Sequence, residues 1–117
     1  MSKDITEVLS VERVRAAYEA TKLRPRRRSW TLCPLDGPPY ACAVGAVLLA
    51  RQYQGHFTQS DVAYELDLAH TDVAAFLLGF DGHDLSGEET GWPGAIAAWK
   101  HGRAVARAVF SESGGAA

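Results

Sequence analysis

The sequence predicts a mainly α protein, a compact bundle of about five helices around a central helix-turn-helix-like hairpin, with room for a small two-stranded ribbon near residues 29–42. Three observations predict it. Apolar residues recur at three- and four-residue spacing in several separate stretches, the longest being Thr58–Phe80. Capping residues, Gly and Pro punctuate those stretches. One alternating stretch, Trp30–Leu35, runs into the turn dipeptide Asp36-Gly37.

The first nine residues are polar and are read as loose chain or a first helical turn. Ser10 is a good N-cap with Glu12 in the first turn behind it. Val11, Val14, Ala17, Tyr18 and Thr21 or Lys22 then form a helical stripe through about Leu23. Pro25 forbids continuation. Arg24, Arg26, Arg27 and Arg28 cluster around it as a basic arm. Pro38-Pro39 restricts any return strand after Asp36-Gly37 to an edge. Tyr40–Tyr53 reads as a helix apolar on most sides, with Gly45 allowing close approach of another backbone.

The hairpin comes next. Thr58 caps its first helix, which carries Val62, Ala63 and Leu66 and ends at Asp67. Asp67 stands where such turns often place Gly, and tolerates the left-handed conformation adequately. His70 or Thr71 caps the second helix, whose inward face is Val73, Phe76, Leu77 and Phe80, widened by Leu78. Gly79 is a weak point, and Gly82 can close the helix at positive φ. A glycine-rich acidic loop follows to Trp92. Pro93 fits the first position of a last helix, with Ile96, Trp99, Gly102/Arg103, Ala106 and Val109/Phe110 on its stripe. Residues 1–110 are expected to form one helical domain, and 111–117 a disordered tail.

At 117 residues the chain can bury a core without metals or disulfides. Cys33 and Cys42 do not make a disulfide framework. The polar start lacks the apolar segment of a secretory signal, and no run is long enough to span a membrane, so a cytoplasmic location is expected. Charge is unevenly spread. Residues 1–51 carry nine bases and five acids, residues 52–99 eight acids and no base, and residues 100–117 three bases and one acid.

That distribution weighs against DNA reading by the hairpin. Its second helix offers Ala69, His70, Thr71, Asp72, Ala74 and Ala75 near its start, with no Arg, Lys, Asn or Gln to pair with a base edge. Phosphate binding draws on cations, and there are none between Arg51 and Lys100. The hairpin is therefore read as a packing unit. The arm Arg24, Arg26, Arg27 and Arg28 is the nucleic-acid- or partner-binding candidate, with pairing to the acidic middle of the same chain as the plainer alternative.

Cys42 sits near a helix start, where the dipole can lower a thiol pKa. A nucleophile also needs a base, and His56, His70, His83 and His101 stand at no recognisable spacing. Cys42 is thus read first as a small buried apolar residue, with a cysteine-dependent enzyme or a redox pair with Cys33 as the alternatives. Asp81, His83, Asp84, Glu88 and Glu89 match neither a calcium loop nor a zinc spacing, and are read as solvated acids capping the flanking helices. No catalytic residue, cofactor or metal is predicted.

The segments VRAAYEATKLRP, CAVGAVLLA, LLGFDG and AAWKHGRAVARAV, taken in order, resemble a group of small uncharacterised bacterial and phage proteins. These share a helix ending in Leu-x-Pro, a Cys-x-x-Gly-Ala helix, a Gly-Phe-Asp-Gly turn and a late Gly-Arg helix. The resemblance implies a shared compact fold, and no activity comes with it. It marks Cys42, Gly45, Asp81, Gly82, Gly102 and Arg103 as positions of interest, Asp81 capping the last helix or pairing with Arg103. The expected function is that of an interaction or adaptor protein, self-associating or bound to a larger protein partner. The alternatives are nucleic-acid binding through residues 24–28 and the hairpin, and cysteine chemistry at Cys42.

Overall fold

A computed structural model describes residues 3–26, 40–51 and 59–112, the side chains of Tyr40, Gln59 and Glu112 excepted. Among them are six α-helices: α1 Ile5–Val8, α2 Val11–Thr21, α3 Ala43–Ala50, α4 Gln59–Leu66, α5 His70–Asp81 and α6 Ala95–Glu112. Five correspond to the predicted helices. The sixth, α1, is a single turn capped by Asp4, whose carboxylate accepts from the Thr6 N–H at 2.9 Å and the Thr6 hydroxyl at 2.7 Å. Ile5, Val8 and Leu9 are buried, so the start of the chain belongs to the core.

Ser10 caps α2 as expected, accepting from the Arg13 N–H at 3.2 Å. Lys22 ends the helix in the left-handed region at φ 62°. The chain then enters a short strand, β1 Arg24–Pro25, which pairs in parallel with β2 Tyr40–Ala41. The predicted strand Trp30–Leu35 lies outside the described residues. A two-stranded pairing exists, but its first strand is the start of the basic arm. The helix predicted from Tyr40 begins instead at Ala43, because Tyr40–Ala41 is extended in the strand pair and Cys42 is the N-cap. The Asp36-Gly37 turn, the cap Thr58 and the last residues of the predicted 40–53 helix lie outside the described residues.

The core is built on α5 and α6. Val73, Ala75, Phe76, Leu77 and Phe80 of α5 are all buried, so this helix is enclosed on most sides after its first turn. The Phe76 and Phe80 rings stack at 6.3 Å, and Phe80 meets Phe110 of α6 at 5.6 Å. Each such phenyl contributes ~2–3 kcal/mol of apolar transfer. Two glycines let the backbones approach. A Cβ built on Gly79 would strike the Trp99 carbonyl, and one on Gly102 would strike the Phe76 carbonyl. Gly79 is therefore a contact point and not a weakness.

This approach also sets the face of α6. Ala95, Ala98, Gly102, Val105, Ala106 and Val109 point inward, whereas Ile96 is 48% exposed. Of the predicted stripe, Gly102, Ala106, Val109 and Phe110 are buried and Trp99 packs half-buried against the core. Ile96 is turned out because the close crossing seats the smaller Ala95 and Ala98 at that end. The helix begins two residues after Pro93, following Gly94 at φ 75°, and runs to Glu112, past the expected end at Phe110. No helix among the described residues is long and apolar enough to cross a membrane.

Candidate functional site

The hairpin has the turn its sequence suggested. Asp67 sits at φ 55°. Its N–H donates to the Tyr64 carbonyl at 3.3 Å, and the Leu68 N–H donates to the Ala63 carbonyl at 2.9 Å. This is the Schellman arrangement, with Asp in the place Gly usually takes. Leu68 is buried beneath it. The Lys3 N–H donates to the Asp67 carbonyl at 2.7 Å, which ties the start of the chain to the turn. The cap of α5 differs from expectation. Ala69 is the N-cap and makes no side-chain bond, His70 being already helical.

A groove of about 610 Å³, open to solvent, lies along this hairpin between Ser60, Ala63, Tyr64, Asp67, Leu68 and His70. Tyr64 is 88% exposed, far more than any other large apolar side chain described. Asp61, Asp67 and His70 are also exposed, and Glu65 is half-buried, so the rim is acidic. Sequence reasoning passed over Tyr64. The available signal was an aromatic residue off the Val62–Ala63–Leu66 stripe, and hence turned to water.

The second cluster is internal. The Tyr18 hydroxyl donates to the Ala41 carbonyl at 2.7 Å, and the same carbonyl accepts the Arg26 N–H at 3.1 Å. Cys42, next along the chain, is the N-cap of α3, its Sγ accepting from the Gly45 N–H at 3.4 Å. Cys42 is only 3% exposed. Burial pushes its thiol up to about 11, with the charge of Asp81 a lesser cause in the same direction. Tyr18 is raised too, first by burial and then by the charges of Cys42 and Asp81. The helix dipole does not win at Cys42, and the thiol stays protonated near neutral pH. Cys33, its suggested redox partner, lies outside the described residues.

The remaining candidates separate. Arg24 and Arg26 are exposed and held beside Ala41 by the strand pair, whereas Arg27 and Arg28 lie outside the described residues. Asp81 is the last residue of α5 and half-buried, and Gly82 closes the helix at φ 83° as the sequence suggested. Arg103 is exposed on α6 and lies over the Trp99 ring at 4.9 Å. Trp99 in turn donates from Nε1 to the His83 carbonyl at 2.7 Å, pinning the acidic loop. Within that loop Ser86 and Glu89 form a capping box. The Ser86 N–H donates to Glu89 Oε1 at 2.8 Å, and the Glu89 N–H to Ser86 Oγ at 3.1 Å. The signature Ser-x-x-Glu was legible there. Among the described residues no group of three or more His, Cys, Asp or Glu could hold a metal ion.

No protein-family model, curated protein or solved structure matches this chain.

Proposed function

We propose that this chain is a small interaction protein that binds a protein partner through the outer face of the α4–α5 hairpin. The observation that carries the reading is Tyr64, an aromatic side chain left 88% exposed at the edge of a groove. Exposed aromatics beside a groove are the usual anchors of protein interfaces. The buried cluster supports the same reading from the other side. Cys42 is a protonated helix cap and Tyr18 is engaged with a main-chain carbonyl, so both have structural uses.

A photo-crosslinking residue placed at position 64 in the native host tests this. A discrete crosslinked product is expected there and not from position 19, an exposed site on α2. No product at 64, or equal yield at both positions, would remove the reading.

A second reading rests on the exposure of Arg24 and Arg26. Held by the strand pair beside the core, they are placed to meet phosphate. Duplex or single-stranded DNA should then shift at low salt and fail to shift with R26A/R27A/R28A. The α4–α5 hairpin would not share in that contact, since Ala75 and Phe76 are fully buried and the rim is acidic.

A further inference from the structure

The described surface carries two exposed large apolar side chains, Tyr64 at 88% and Ile96 at 48%. They stand in oppositely charged surroundings. Ser60, Tyr64 and Asp67 follow one another at four and three residues, so they lie along one ridge of α4 and its turn, with exposed Asp61 beside them. Ile96, Lys100, Arg103 and Arg107 are spaced four, three and four apart, so they form one stripe along α6, and all are exposed. An acidic ridge with an apolar anchor and a basic stripe with an apolar anchor are thus displayed by the same chain. α5 packs against both helices, so the two surfaces are carried by neighbours of one core helix.

We propose that the partner of the α4 ridge is a second copy of this chain, which presents its α6 stripe. Tyr64 packs against the Ile96 end of the stripe, and the acids around Tyr64 face Lys100, Arg103 and Arg107. This deepens the interaction reading above and rests on it. Charge complementarity argues for a second copy over an unrelated partner. No Lys or Arg stands between Arg51 and Lys100, and the α6 stripe supplies three cations that the exposed α4 ridge lacks. Two copies related by a two-fold axis satisfy both contacts at once. Such an interface is screened by salt.

Sedimentation velocity of the full chain across concentration and salt is the test, with two charge-reversed variants. K100E/R107E makes both surfaces acidic, and D61K/E65K makes both basic. Wild type is expected to dimerise at low salt and to dissociate as salt rises. Each variant alone should lose about tenfold or more in association, and an equimolar mixture should recover it. Y64A, which leaves all charges in place, should also weaken the dimer, and circular dichroism reports whether each variant is folded. A wild type that stays monomeric at low salt, or variants that associate as wild type does, would overturn the proposal. Should the wild type be monomeric while position 64 still crosslinks to a different protein, the second copy is excluded and the interaction reading stands. Should neither occur, both fall.

Discussion

Helices α4 and α5 are two halves of one hairpin, yet they meet opposite surroundings. α5 is enclosed after its first turn and crosses α6 at two glycines, backbone against backbone. α4 buries Val62, Ala63 and Leu66 and turns Ser60, Asp61 and Tyr64 to solvent. In a DNA-reading hairpin the second helix would be the open one. Here the second helix is the packing element and the first carries the exposed face. A hairpin's spacing therefore says that two helices turn back on each other, while burial says which of them can bind.

The largest expected effects lie at the glycine crossing. Gly102→Ala and Gly79→Ala would each force apart two backbones that cannot yield as side chains do, and should cost about 3 kcal/mol or more in denaturant unfolding. Gly91→Ala, in the loop with open space around its Cβ position, should change stability by no more than ~0.5 kcal/mol. Equal losses at the three sites would dissolve the contrast between seam and surface.

Tyr18→Phe should cost about 1 kcal/mol. The Ala41 carbonyl loses the hydroxyl but keeps the Arg26 N–H, so it is not left bare. A loss near 3 kcal/mol would mean the strand pair depends on that hydroxyl.

Cys42 gives a pH prediction with a definite sign. Its folded thiol is raised from the ordinary 9.0 to about 11, so folding favours the protonated form. That contribution is complete below about pH 9 and is lost as pH rises through about 11. Tyr18, also raised, acts in the same direction at higher pH. Unfolding free energy should fall across this window, and less steeply in Cys42→Ala. Alkylation of native Cys42 near neutral pH should be slow. Fast labelling would restore a reactive thiol.

The smallest expected effect is Tyr64→Ala on monomer stability, within ~0.5 kcal/mol, because the ring is already in water. Combined with weakened association, that result places Tyr64 in binding and outside the fold.

Much of this fold was legible in the residues. Ser10 announced a cap, Asp67 and Gly82 announced turns, and Val73–Phe80 announced an inward helix. Each signal is local, set by a backbone angle or a short spacing. What was not legible depended on distant neighbours. Ile96 looked like a core residue until Gly102 was seen to bring α6 against Phe76. The strand Arg24–Pro25 is two residues long and shows no periodicity, so only Ala41 across from it reveals it. The candidate surface was half readable. The cations at 100, 103 and 107 and the acids of the hairpin are legible in the sequence, but their display on exposed ridges belongs to the packing.

Native-state hydrogen exchange tests the central claim most directly. Amides of Phe76, Leu77 and Phe80 should exchange only through global unfolding, while those of α4 near Tyr64 open locally and faster. Exchange at residues 76–80 as rapid as in the acidic loop would contradict it, since α5 would then be the open half of the hairpin.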